Sequence, residues 1–163
     1  MEKFLELRHE AKKKIGVADH ILLTSYTLLH DTKLLLSAAN TIYKALEASM
    51  NSVLEYERLF KRIPPLSVEF ESRFIVFKKV LSKYGVNKKS YFELLRNMRE
   101  IHVSHQKSPV EFRRKDKFVI ANEDYQLKTL DLKILKNYLF EAKVFIEEMS
   151  KVTSTNDGIF RRS

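Results

Sequence analysis

Apolar residues recur along most of this chain at alternating steps of three and four, the spacing that gathers them on one face of an α-helix. Phe4, Leu5, Leu7, Ala11 and Ile15 mark a first amphipathic stretch over 2–15, which Gly16 is expected to end. A second stretch, 17–29, follows, and Asp31-Thr32 then offers a cap or a kink. The longest run comes next. Leu35, Ala39, Ile42, Leu46, Met50, Val53 and Phe60 predict a core helix over 32–61. It should stop at Ile63-Pro64-Pro65, where the proline ring drives the preceding residue out of the α region.

Ser67 starts a fourth segment in which Phe70, Phe74, Phe77, Leu81 and Tyr84 share a face, closed by Gly85. Ser90-Tyr-Phe-Glu93 has the form of a capping box and predicts a helix from about 91 to 106. The helical period lapses over 107–128. Within that insert, 118–121 and 125–130 form two short extended runs about a turn, the pattern of a small β-hairpin. Thr129 or Asp131 caps a last helix to about 151, with Leu135, Tyr138, Ala142, Phe145, Met149 and Val152 on one stripe. The expected fold is all-α: an antiparallel bundle of about five to six helices with a β-hairpin-like insert before the last one. One domain over 1–152 and a flexible tail over 153–163 complete the reading.

Composition narrows the chemistry. The chain has 163 residues, 44% of them apolar, with no Cys and only three Gly and three Pro. Such a chain is neither disordered nor collagen-like. Without Cys there is no disulfide framework, no thiol nucleophile and no thiolate metal site. Three glycines do not build a dinucleotide fold, and neither G-x-S-x-G nor H-E-x-x-H occurs. The N-terminal MEKFLELRHEAKKK mixes acids with bases and lacks the apolar core of a signal peptide, and no apolar run is long enough to span a bilayer. A cytoplasmic protein without membrane association is expected.

Charge adds a location. The formal net charge is +9, and residues 58–115 alone contain 15 basic against five acidic side chains, a balance of +10. One sign concentrated on neighbouring helices makes a field that attracts polyanions, so nucleic acid is the default partner. The candidate contacts are Lys78, Lys79, Lys83, Lys88, Lys89, Lys107, Arg113, Arg114 and Lys115, with Phe112 among the bases as a surface on which a nucleobase can stack. A solvated helix face is the competing reading of such a charge run.

Within this block lies Arg96-Asn97-Met98-Arg99-Glu100-Ile101-His102-Val103-Ser104-His105, in which Arg96 precedes His102, and Arg99 precedes His105, by six residues. A guanidinium binds nonbridging phosphate oxygens, and a histidine moves a proton at the ribose 2′-hydroxyl or the leaving oxygen. Arg96, Arg99, His102 and His105 are therefore the candidate catalytic residues. Arg96-Asn97-x-x-x-x-His102 resembles the motif of the HEPN superfamily, small helical bundles whose ribonuclease members carry an Arg, a polar residue and a His near the end of a helix. That resemblance implies RNA as substrate and a homodimer with two Arg/His sets facing a shared cleft. Non-catalytic members of the family bind nucleotides or proteins instead. The local alternatives are that His105, on the stripe of Tyr91, Leu94, Met98 and Ile101, is a core histidine, and that the arginines pair with Glu93 and Glu100. No third ligand accompanies His102 and His105, so neither metal nor other cofactor is expected. The leading expectation is a basic RNA-binding protein with metal-independent ribonuclease activity. The alternative is a non-catalytic module docking on an RNA-containing assembly or an acidic protein.

Overall fold

A computed structural model describes residues 2–107, 110–114, 116–121 and 127–154. The chain is an all-α bundle with one small antiparallel sheet. Helix α1 (Lys3–His20) runs through a π-turn (Ile21–Ser25) into α2 (Tyr26–Leu29), followed by α3 (Lys33–Leu59), α4 (Phe70–Lys83) and α5 (Lys89–Lys107). Strands β1 (Val110–Arg114), β2 (Lys117–Ala121) and β3 (Leu127–Leu130) precede the last helix, α6 (Leu132–Val152).

Helix α3 is the centre of the bundle, packing against α1, α4, α5 and α6. Its predicted stripe is buried from Leu35 through Val53, and the small residues Ala38, Ala45, Ser49 and Ser52 are buried as well. Ala11 and Ala18 of α1 are fully buried too, so side chains of minimal volume let α1 and α3 approach closely. Phe74, Phe77, Leu95, Met98, Leu135, Ala142 and Phe145 complete the same core. Phe60 is only half-buried, because α3 ends before it.

Three helix boundaries differ from expectation, each for a local reason. Gly16 does not stop α1: the helix continues past it, since burying Ile15, Ala18 and Leu22 outweighs the roughly 1 kcal/mol that a mid-helix glycine costs. The stop comes at His30, whose left-handed φ of 49° ends α2, and the Asp31 side chain then accepts from the Lys33 N–H at 3.0 Å. Helix α3 stops short of the prolines. Lys61 takes φ 56°, the Arg62 N–H reaches the Glu57 carbonyl at 3.0 Å and the Lys61 N–H reaches Arg58 at 2.9 Å, a Schellman closure built on a lysine. Helix α5 begins at Lys89, and the Tyr91 N–H bonds the Lys88 carbonyl, so Ser90 lies inside the first turn and is not the cap. At α6 the cap is Asp131, accepting from the Ile134 N–H at 2.8 Å, while Thr129 belongs to β3.

The expected hairpin is present as β2 and β3, antiparallel with Phe118 opposite Leu130. A third strand, β1, pairs with the other edge of β2, with Phe112 opposite Val119, making the order β1-β2-β3. Phe118, Ile120 and Leu130 join the core, which seats the sheet against α3 and α5. Thr153, at the start of the expected tail, is fully buried, and the Arg8 side chain donates to Thr153 Oγ1 and Ser154 Oγ at 3.2 and 2.8 Å. The rest of that tail, 155–163, lies outside the described residues.

Two C-caps make a matched prediction. Gly85 closes α4 with φ 74°, the Val86 N–H reaching the Leu81 carbonyl, and a Cβ there would meet nothing within 4 Å. Gly85→Ala is therefore expected to cost about 1 kcal/mol through backbone strain alone, and Lys61→Gly to stabilise by about the same. Urea midpoints should move in opposite directions at unchanged slope.

Candidate functional site

Helices α4 and α5 meet through aromatic rings that carry cations. Phe70 and Phe74 stack at 5.5 Å, and Phe92 meets Phe74 and Phe77 edge-on at 6.0 and 6.3 Å. Lys78 lies 4.7 Å over Phe74, Arg96 lies 5.2 Å over the same ring, and Arg99 lies 4.2 Å over Phe70. These spacings follow from the helices: Phe70, Phe74 and Lys78 are four residues apart on α4, and Phe92, Arg96 and Arg99 four and three apart on α5. The outcome is a strip of three cations oriented by ring faces, none of them in a salt bridge with an acidic residue among the described residues. Lys79 and Lys83 on the same helix are exposed and have no side-chain partner among the described residues.

Other cations of the basic block are already engaged. Arg62 and the Tyr84 hydroxyl converge on Glu57, which is only 2% exposed, and Lys88 and the Tyr91 hydroxyl converge on Glu148 of α6. Lys89 lies 3.8 Å from Glu93, Arg58 lies 3.3 Å from Glu55, and Arg73 donates to the Ser67 carbonyl and to Asn51 Oδ1. Of the residues proposed to bind nucleic acid, Lys78, Lys79 and Lys83 therefore share α4 with the strip, whereas Lys88 is turned toward α6. Phe112, Arg113 and Arg114 fall on β1 in backbone register, opposite Val119, Phe118 and Lys117. Their side chains, that of Lys107, and Lys115 altogether lie outside the described residues.

The Arg/His cluster has a different pairing from the six-residue one. Arg96 is exposed and committed to Phe74, on the α4 side. Arg99 and His102, one turn apart on α5, meet instead at Tyr43 of α3: Arg99 Nη1 donates to the Tyr43 hydroxyl at 2.9 Å, and the His102 imidazole stacks on the Tyr43 ring at 4.6 Å. The hydroxyl in turn donates to Glu47 at 2.6 Å. Burial, with Glu47 adding to it, pushes the Tyr43 phenol well above its usual range and keeps it a donor. His102 Nδ1 lies 3.3 Å from Asn40 Oδ1, and Nε2 lies 3.2 Å from Gln106 Nε2. With these amide orientations the ring proton sits on Nδ1, and Nε2 is an acceptor covered by one exposed glutamine. His105 is half-buried one turn further along α5.

Beside Arg99 opens a cavity of about 420 Å³, lined by Glu47, Asn51, Glu69, Glu71, Arg73 and Arg99 over a floor of Met50 and Phe70. It lies between α3 and the first turn of α4. Among the described residues no group of three or more His, Cys, Asp or Glu is placed to hold a metal ion, and no helix is long and apolar enough to cross a membrane.

Tyr43, Asn40, Glu47 and Asn51 are absent from the sequence-derived candidates, although a signal existed. They form a polar row with steps of three and four running beside the apolar stripe of α3. A long core helix with a polar row is one whose flank is reserved for side-chain hydrogen bonds.

Burial on Tyr43 pushes the His102 imidazole below its ordinary value, against the pull of Glu47. The folded protein therefore binds this proton less readily than the unfolded chain. Stability from this residue is intact above the unfolded pKa of about 6.5 and falls as pH drops below it. Between pH 7.5 and 5.5 the melting temperature of the protein should fall more than that of His102→Gln, measured side by side. Comparisons with family models, curated proteins and solved structures find no match to this chain.

Proposed function

We propose that this protein binds single-stranded RNA along the α4–α5 strip and cleaves it without a metal ion at Arg99 and His102. The observation that carries the binding reading is the strip itself: Lys78, Arg96 and Arg99 are ordered on ring faces with no salt-bridge partner among the described residues, which leaves their charge available to phosphate. Lys79 and Lys83 extend that charge along α4. Cleavage rests on the cluster at Tyr43. Arg99 keeps donors beyond its bond to the hydroxyl, and a phosphate bound there sits within one helical turn of His102 Nε2. Displacing Gln106 frees Nε2 to take the 2′-hydroxyl proton as that oxygen attacks phosphorus; the P–O5′ bond breaks, the 5′-oxygen takes a proton from solvent water, and a 2′,3′-cyclic phosphate remains. The acting unit in this reading is a homodimer, the state that the HEPN resemblance implies.

One observation favours the non-catalytic alternative: both ring nitrogens of His102 already have partners inside the protein. Binding and cleavage are therefore tested separately. For binding, affinity for an unstructured RNA oligomer should fall steeply with salt. Lys79→Ala with Lys83→Ala, which disturbs no internal contact, should lower the slope of log K against log salt by about 1.4, two single-strand phosphate contacts. An unchanged slope would remove α4 from the interface, and absence of binding at low salt would point to an acidic protein partner.

A further inference from the structure

The strip leads into the cavity beside Arg99, whose lining differs from the strip in sign. Three carboxylates, Glu47, Glu69 and Glu71, face a space that also holds Arg73 and Arg99. Glu69 and Glu71 are exposed and have no side-chain partner among the described residues. Glu47 is half-buried; its Oε2 accepts from the Tyr43 hydroxyl and keeps a second lone pair, and its Oε1 has no hydrogen-bond partner among the described residues. Phosphate does not belong against carboxylates. A planar group rich in N–H donors does.

We infer that this cavity receives one nucleobase of the bound RNA and selects guanine, with Glu47 as the residue that reads it. This rests on the RNA-binding reading above and deepens it. The volume of about 420 Å³ lies in the range of small-ligand sites. Arg99 and Phe70, stacked on each other at 4.2 Å, both line the cavity and give a planar wall of the kind on which bases stack. Selection follows from the edge that meets the carboxylate. Guanine presents two adjacent donors, N1–H and the N2 amino group, which one carboxylate accepts together. Adenine and cytosine place an unprotonated ring nitrogen beside their amino group, and uracil flanks its single N–H with two carbonyls. Each of these sets a lone pair against a negative oxygen, and an edge left without its hydrogen bonds beside a carboxylate is disfavoured against one that makes them. The backbone of the same nucleotide stays at Arg99, on the side of the strip, so one arginine joins base recognition to the phosphate site.

The test uses the full chain and oligouridylates that differ at one central base, with affinity read by fluorescence anisotropy at fixed salt. Guanine at that position should bind at least about tenfold tighter than adenine, cytosine or uracil. Inosine, which keeps N1–H and lacks the N2 amino group, should fall between guanine and the rest. That comparison changes only the ligand and so is independent of folding. In Glu47→Gln, which retains an acceptor for Tyr43, the ratio of guanine to uracil affinity should collapse toward one, a readout that is independent of the absolute affinity. Equal affinity for all four bases, or a preference for adenine, overturns the inference and leaves RNA binding standing. Failure of every oligomer to bind overturns both.

Discussion

Replacing Phe74 with alanine should remove about 3–5 kcal/mol of stability and, at temperatures where the variant still folds, weaken RNA binding as well. The ring is fully buried, stacks on Phe70 and is met edge-on by Phe92, so no neighbour is free to collapse into the space it leaves. Against a typical total of about 5–15 kcal/mol, that is about a fifth of the stability or more. For a chain of this length the melting temperature should fall by roughly 10 °C. The second effect is specific to this protein. The face of Phe74 carries both Lys78 and Arg96, so the truncation also releases two cations of the strip from their fixed positions. Phe74→Leu separates the two effects. Leucine fills much of the volume and offers no π-face, so stability should largely return while RNA affinity stays reduced by roughly three- to tenfold, the scale of one or two exposed cation–π contacts. Calorimetry on both variants, with binding measured well below each transition, checks this. Recovery of affinity together with stability in the leucine variant would show that the rings act only as core.

What the sequence made legible was periodic and local. The stripe from Leu35 to Val53, the Gly85 cap and the Asp131 cap are all present, because each depends on residues within a turn or two of one another. The misplaced boundaries share a cause: a local signal was outweighed by tertiary packing or by a neighbouring residue in a less common conformation. Gly16 is carried through by the burial of α1 on α3, and Lys61 ends α3 in a left-handed conformation that no propensity assigns to lysine. Strand β1 alternates Val110-Glu111-Phe112-Arg113 as a strand should, yet the adjoining run Arg113-Arg114-Lys115 reads as solvated loop. Charged residues are common on an edge strand, where they discourage pairing with other chains. The site was legible by composition only. Arg99 and His102 were among the candidates, but what joins them is Tyr43, 56 residues from the arginine, and Asn40, 62 residues from the histidine. Contacts at that separation exist only once α3 and α5 lie side by side, so spacing along one helix could not show them.

That regrouping makes the cleavage reading specific. In EDTA, cleavage of single-stranded RNA should fall by about 10²–10³-fold in Arg99→Ala and in His102→Ala, the range for removing one charge-stabilising donor or one acid–base group. Arg96→Ala should chiefly weaken binding, because its guanidinium lies over Phe74 on the α4 side, away from Tyr43. His105→Ala should retain cleavage, since the imidazole that stacks on Tyr43 is that of His102. Tyr43→Phe is the informative intermediate. It keeps the ring on which His102 stacks and deletes the hydroxyl that joins Arg99 to Glu47, so it should impair phosphate positioning more than proton transfer. The pH profile gives an independent check on the base. Burial favours the neutral imidazole, so activity should rise with pH through a midpoint below the ordinary histidine value of about 6.5, with no such limb in His102→Ala. Equal losses in Arg96→Ala and Arg99→Ala would restore the six-residue pairing. An RNA left intact by the unsubstituted protein, yet bound with the expected salt dependence, would make the Tyr43 cluster a structural joint between α3 and α5 and the protein a binding module.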